Sequence, residues 1–156
     1  MSADVRFPTA LQMVLSVAMA DDENRRCTSQ MLADGLGTNP SFIRKLLVPL
    51  TGEGMLVAAV GKGGGLHLGR AATEITLRDI YLAVTEQKKV LAARRDIPSR
   101  CRISANINEF FGAVANEAEM AMLDALARRN LAESLGEILR IDEARVRRMR
   151  MVAAAN

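Results

Sequence analysis

Residues 28–70 read TSQMLADGLGTNPSFIRKLLVPLTGEGMLVAAVGKGGGLHLGR, and the order of signals in this stretch decides the fold. Thr38-Asn39-Pro40 is a helix start. The Asn39 amide oxygen can accept from the free N–H groups of the first turn, and Pro40 takes the first helical position, where its missing donor costs nothing. From there to about Thr51, Ile43, Leu46, Leu47 and Leu50 recur at helical spacing on one face, while Ser41, Arg44 and Lys45 fall on the other. A shorter amphipathic segment, from about Ser29 to Asp34 and capped by Thr28 or Ser29, precedes it across Gly35-Leu36-Gly37. Two short helices with a glycine-containing turn outline a helix-turn-helix. Residues 55–60 and 66–68 then read as strands joined by Gly61-Lys62-Gly63-Gly64-Gly65. Helix, helix and β-ribbon in that order predict a winged helix, a fold suited to DNA.

Upstream, residues 8–20 predict a first helix with Pro8 near its first position. Leu11, Val14, Leu15 and Ala18 form one stripe, but Met13, Val17 and Met19 occupy other faces. Such a helix is covered on more than one side, either by its own core or by a partner subunit. Residues 21–26 predict a charged, exposed turn ending at Cys27, and Gly52 and Gly54 end the recognition helix. Thr76-Leu77-Arg78-Asp79 resembles a capping box opening a helix to about Val84, with Ile80, Ala83 and Val84 inward.

Residues 85–101, rich in charge and containing Pro98, read as a loop. A helix of roughly 40 Å follows from about Arg102 to Arg129. Along it Ile107, Phe111, Val114, Ala118, Ala121 and Ala125 make a seam at alternating 4,3 spacing, with Met122 beside it. Small residues along half of this seam let two helix backbones approach closely, and the simplest use is a dimer. Leu131, Leu135, Ile138 and Leu139 predict a short amphipathic helix, and the arginine-rich tail from Arg140 a fraying, solvated one. The organisation expected is a winged helix-turn-helix domain over 1–84, a loop over 85–101, dimerisation helices over 102–139 and a basic tail over 140–156. The fold class is mostly α with a small β-ribbon.

The 156 residues suffice for one domain with a helical extension, and 25% charged against 49% hydrophobic residues is an ordinary globular balance. The net charge of +3 comes wholly from residues 85–156, because 1–84 hold equal numbers of basic and acidic residues. Nucleic-acid binding therefore rests on the placement of Arg44, Lys45 and Lys62, not on a basic domain. The absence of Trp and the aromatic content of 3% argue against base-stacking RNA platforms. No apolar run reaches a membrane span, no leader opens the chain, and the two cysteines read as thiols in a reducing cytoplasm. Catalysis is not expected. Gly61-Lys62-Gly63-Gly64-Gly65 lacks the spacing and the following Ser/Thr of a phosphate loop, and no nucleophile has a plausible base beyond His67.

These residues together resemble the Rrf-two family of bacterial winged-helix transcription regulators. The resemblance is carried by Arg6-Phe7 and Ala10-Leu11, by Asn39-Pro40-Ser41-Phe42-Ile43-Arg44-Lys45-Leu46-Leu47, and by Gly54-Met55-Leu56-Val57. The wing from Gly61 to Arg70, Ile75-Thr76-Leu77-Arg78-Asp79-Ile80-Tyr81, Cys101, Asn106-Ile107 and Ala118-Glu119 extend it to about Glu137. The resemblance implies a homodimer, its long helix crossing the partner, on a pseudo-palindromic operator. Ser41, Arg44 and Lys45 would then read or clamp the major groove, with Pro40 at the start of the same helix. Thr28, Ser29, Gln30 and Asn39 would position phosphates, and Lys62 with Gly63 and Gly64 would bring the wing to the minor groove.

Cluster-binding members of that family hold iron and sulfur through three cysteines before the long helix. Here Cys101 stands alone, with Arg95 and Lys89 at successive six-residue steps back and Ser104 three residues on. Cations cannot ligate iron, so neither a cluster nor another metal is expected. Cys101 is then either an idle packed residue or, beside Arg95, Arg100 and Arg102 and ahead of a helix, a thiolate that switches DNA binding. Cys27, with Asp21, Asp22 and Glu23 nearby, is the weaker sensor. The reading is a cluster-free, DNA-binding repressor with a thiol switch. The alternative is a protein-interaction regulator whose DNA binding depends on a partner enzyme.

Overall fold

The computed structural model describes residues 4–86 and 88–154. Residues 1–3, 87 and 155–156, which belong to the expected winged-helix domain, loop and tail, lie outside the described residues. In chain order the elements are α1 (Arg6–Asp22), α2 (Ser29–Leu36), α3 (Pro40–Gly52), β1 (Leu56–Ala59), β2 (Gly65–Leu68), α4 (Leu77–Thr85), α5 (Arg102–Ala127) and α6 (Leu131–Ala154). A 3-10 turn over Ala72–Glu74 leads into α4. This is a mostly helical fold with one two-stranded antiparallel sheet.

The core is built around α1. Ala10, Met13, Val14 and Val17 are fully buried, and Leu15, Ala18 and Ala20 nearly so. Its neighbours are α4, β2, α6 and α2 of the same chain, so its apolar faces are covered from within. The helix opens two residues earlier than Pro8 suggests: Val5 is the N-cap and Pro8 the third helical residue. The first turn has no internal acceptors to offer, so a proline at its third position loses nothing. Phe7 meets Tyr81 of α4 edge-on, ring centroids 5.3 Å apart, which fixes the start of α1 against α4.

Local chemistry sets the ends of α2 and α3. The Thr28 hydroxyl accepts from Met31 N–H at 3.2 Å, and the Asn39 side-chain oxygen accepts from Ser41 N–H at 2.8 Å. The left-handed residue that closes α2 is Gly37 at φ +59°, so α2 carries on through Gly35 and Leu36 instead of stopping at Asp34. Ile43, Leu46 and Leu50 of α3 are buried, with Leu47 half-buried against the same core. Pro49 lies inside α3, where its ring leaves the Lys45 carbonyl without the usual helical donor.

Leu56 pairs with Leu68, Val57 with His67, Ala58 with Leu66 and Ala59 with Gly65. The capping box at α4 is complete: Asp79 N–H donates to the Thr76 hydroxyl at 3.1 Å, and Thr76 N–H donates to the Asp79 carboxylate at 2.9 Å.

The C-terminal third departs from expectation in one respect. The sequence predicts a short helix and a fraying tail on either side of residue 139, but α6 runs unbroken from Leu131 to Ala154. Its first two turns belong to the winged-helix body. Leu131 is fully buried, Leu135 nearly so, and Leu131 N–H donates to the Ile75 carbonyl at 2.8 Å. The remainder is rich in Arg, Ala and Met, all strong helix formers, so a helix anchored at one end propagates to the other. α5 is the opposite case: of its 26 residues only Ala115 is fully buried.

Candidate nucleic-acid interface

The outer face of α3 carries Ser41, Arg44, Lys45 and Val48, all exposed. At 100° per residue these four positions share one side, opposite Ile43, Leu46 and Leu50. Among the described residues neither Arg44 nor Lys45 takes part in an ion pair or a side-chain hydrogen bond, so both cations are available to an anionic partner. The same periodicity puts Val48 in the middle of this face, where it is 71% exposed. An exposed aliphatic group beside two cations on a groove-entering helix is suited to a thymine methyl. Pro40 is half-buried at the helix start, and Asn39 is exposed beside it.

On α2, Thr28 and Ser29 are half-buried and Gln30 is exposed. The Gln30 amide nitrogen donates to the Asp34 carboxylate at 2.9 Å, which spends that donor within the helix. The Thr28 oxygen accepts at the cap and keeps its own hydrogen free for a phosphate.

The wing tip presents Lys62 and Gly63 to solvent. Gly64 departs from its expected role at the DNA surface, because it is buried. A Cβ there would stand 2.5 Å from the Ala59 carbonyl oxygen and 2.9 Å from that of Gly61. It is a glycine because the ribbon closes over it.

The wing is braced by residues expected to form an exposed turn. Asp21, at the end of α1, binds the wing twice: its carboxylate accepts from Leu68 N–H at 2.8 Å and lies 2.7 Å from His67 Nδ1. Arg26 Nε donates to the Gly64 carbonyl at 2.7 Å. Leu66 N–H donates to the Cys27 carbonyl at 2.7 Å, so the chain before α2 acts as a third rung beside β2. These partners lie some forty residues apart in sequence, and no local pattern announces them. They tie the ribbon that carries Lys62 to the end of α1 and to the chain before α2.

Of the two thiols, Cys27 is buried beneath this brace, and burial together with the nearby Asp21 charge pushes its pKa up. Cys101 is exposed and caps α5. Ser104 N–H and Ser104 Oγ each lie 3.5 Å from its sulfur, and these hydrogen bonds, with one from the Ile103 backbone, hold its pKa below the usual thiol value. Of the two causes expected, the arginine charges and the helix start, it is the hydrogen bonds at the helix start that lower it. Cys101 lines a concavity of about 470 Å³ walled by Ile97, Ile103, Ile107 and Phe111.

Along α5, Ile107, Phe111 and Met122 are half-buried, while Val114, Ala118, Ala121 and Ala125 are exposed. Ile103, Phe110 and Met120, outside the expected seam, are 73%, 67% and 65% exposed.

One family model matches most of the chain that builds this winged helix and the long helix after it. The Rrf2 model, described as an iron-dependent transcriptional regulator, matches residues 3–137. The chain belongs to the Rrf2 family. A Lactococcus lactis protein, YffB, named as a helix-turn-helix transcriptional regulator by similarity, is 31% identical over 52% of this chain and 52% of its own length. The aligned part thus spans about half of that relative. YwnA of Bacillus subtilis, named in the same way, is 23% identical over 85% of this chain and 96% of its own.

Among solved structures, a transcriptional-regulator structure from Lactobacillus plantarum superposes with a TM-score of 0.70 at 25% identity, covering 86% of this chain and 89% of that one. CymR, the global cysteine regulator of B. subtilis, superposes at 0.63 with 15% identity, over 88% and 98% of the two chains, and shares the fold. The family and these relatives are transcription regulators, not enzymes. No helix among the described residues is long and apolar enough to cross a membrane.

The family description names iron, but the donor set of this Rrf2 chain does not fit that metal. Cys101 is ringed by apolar side chains and Arg94, Cys27 is buried under the wing, and His67 is engaged by Asp21. Among the described residues no three His, Cys, Asp or Glu side chains converge as a metal site.

Proposed function

We propose that this Rrf2 protein is a cytoplasmic, homodimeric, sequence-specific DNA-binding repressor that works without an iron–sulfur cluster and is switched by thiol chemistry at Cys101. The observation that carries the DNA reading is the face of α3. Arg44 and Lys45 are exposed and unengaged there, beside Ser41 and Val48, and Lys62 is exposed at the tip of a wing braced from α1. In such an arrangement the helix lies in the major groove and the wing tip meets the adjacent backbone or minor groove. The dimer reading rests on α5, whose apolar side chains are left in water in a single chain. Two chains joined there would offer two recognition helices about 34 Å apart, matching a pseudo-palindromic operator.

The switch rests on Cys101, exposed and with a lowered pKa at the start of the same α5. Its thiolate attacks one oxygen of a peroxide. An S–O bond forms, the O–O bond breaks, and the leaving alkoxide or hydroxide takes a proton from water, so sulfur is oxidised and the peroxide reduced. A sulfenic acid at the cap of α5 alters the end of the helix that joins the subunits.

Titration of the DNA upstream of its own gene tests this, at two salt concentrations and in the reduced and oxidised states. Arg44→Ala with Lys45→Ala is expected to lose operator affinity and to make the salt dependence shallower by about one unit for each phosphate no longer neutralised. Native protein is expected to bind when reduced and release when oxidised, and Cys101→Ser to bind in both states. Release by oxidised Cys101→Ser would remove the thiol switch. Intact DNA affinity in the α3 variant, together with failure to bind a partner protein, would favour a regulator that acts through a partner enzyme.

A further inference from the structure

The second half of α6 has no counterpart in the family match, which ends at residue 137. It projects as a helix of roughly 25 Å over residues 138–154. Ile141, Arg145, Arg148, Met149 and Val152 lie on one side of it. Met149 falls on the side on which Leu131 and Leu135 are buried in the first two turns, and Ile141, Arg148 and Val152 lie about a quarter turn round from it. On this side Ile141 is 61%, Met149 64% and Val152 62% exposed. Five arginines flank or interrupt it: Arg145 pairs with Asp142 at 2.8 Å and Arg147 with Glu143 at 3.6 Å, while among the described residues Arg140, Arg148 and Arg150 take part in no ion pair.

α5 carries the complement. Between residues 103 and 127 it has Glu109, Glu117, Glu119 and Asp124, and no Lys or Arg. At 100° per residue, Glu109, Ala113, Glu117, Met120 and Asp124 share one side, next to the seam expected to join the two subunits. All five are exposed, and among the described residues none of the three carboxylates takes part in an ion pair. An acidic edge around Met120 and a basic stripe around Ile141 and Met149 therefore lie open on the same chain.

We infer that the distal half of α6 docks on the acidic side of α5 of the partner subunit in the dimer. This rests on the dimer proposed above and extends its interface. The occupant is a second copy because neither surface is covered within one chain, and a two-fold axis makes the contact twice with the same residues. The pairing places Arg145 and Arg148 against Glu117 and Asp124 of the partner subunit, with the apolar side chains of both helices between them. Arginines alone would suit DNA phosphates equally well. The three exposed aliphatic and thioether side chains between them favour a protein surface, because their burial is the larger favourable contribution.

The test uses the full chain and charge exchange. Arg145→Glu with Arg148→Glu is expected to raise the dimer dissociation constant about tenfold or more, since each reversed pair counts twice across the axis. Glu117→Arg with Asp124→Arg is expected to do the same, and all four substitutions together to restore the native value within about threefold. Dissociation constants come from sedimentation velocity at low salt, with circular dichroism to check that each variant is folded. An unchanged dimer constant in the arginine variant overturns the inferred docking. If operator affinity falls alongside that unchanged constant, the arginines serve DNA. Weakening by both pairs without recovery in the combined variant also overturns it. A native chain that sediments as a monomer at every concentration removes the dimer itself, an outcome distinct from a native dimer indifferent to Arg145 and Arg148.

Discussion

At Gly64 the wing has no room for a side chain. A Cβ would meet the Ala59 carbonyl at 2.5 Å, and that oxygen belongs to the ribbon backbone, which cannot turn aside. Gly64→Ala is expected to lower stability by about 1–3 kcal/mol in urea unfolding, the usual range for overpacking. Asp21 is the polar counterpart: its carboxylate accepts from Leu68 N–H and lies against the His67 ring. Asp21→Ala leaves that N–H without its partner and is expected to cost about 1–3 kcal/mol by the same measurement. Operator affinity should fall with it as the ribbon that carries Lys62 loses its tie to α1. Cys101 is a third residue with a definite sign. Its pKa is lowered by Ser104, so the thiolate fraction at a given pH is larger than for an ordinary thiol. Alkylation by iodoacetamide should reach half its limiting rate below the ordinary thiol pKa, and Ser104→Ala should move that midpoint upward. Cys27, buried with its pKa raised, should react only when the chain unfolds.

At the scale of elements, caps and stripes are readable because they are local. Thr28, Asn39 and Thr76 each satisfy N–H groups two or three residues away, and the structure places all three as N-caps. The exposed cations of α3 are legible for the same reason, since helical periodicity puts Arg44 and Lys45 opposite Ile43, Leu46 and Leu50. What escapes is whatever depends on a distant partner. α6 reads as two pieces because five arginines hide its stripe, yet one anchored turn carries the helix to Ala154. That anchor is Leu131, fully buried and bonded to the Ile75 carbonyl. Leu131→Ala is expected to cost about 2–5 kcal/mol in urea unfolding, the range for emptying a buried leucine site.

At the scale of the whole molecule, a winged-helix body is joined to two long helices that it covers only in part. α1 to α4 and the first turns of α6 close one core, whereas Phe110, Val114 and Met120 of α5 remain in water. Phe110→Asp puts a charge on that surface and is expected to shift the protein toward monomer in sedimentation velocity while leaving the thermal transition of the winged-helix body nearly in place. An unchanged sedimentation coefficient at equal concentration would place the subunit interface elsewhere.

The sequence by itself determined the helix starts, the winged-helix order and the cationic face of α3. Each follows from hydrogen bonds and periodicities that span only a few residues. Only the tertiary structure decided that Asp21 and Arg26 brace the wing and that Gly64 is internal. It likewise showed α6 as a single helix. These depend on where the chain returns in space, and on which of several equally polar neighbours a side chain meets. For the wing and for α6 that choice is made by the packing of α1 against the ribbon and of α6 against the α4 lead-in, which no short window of sequence contains.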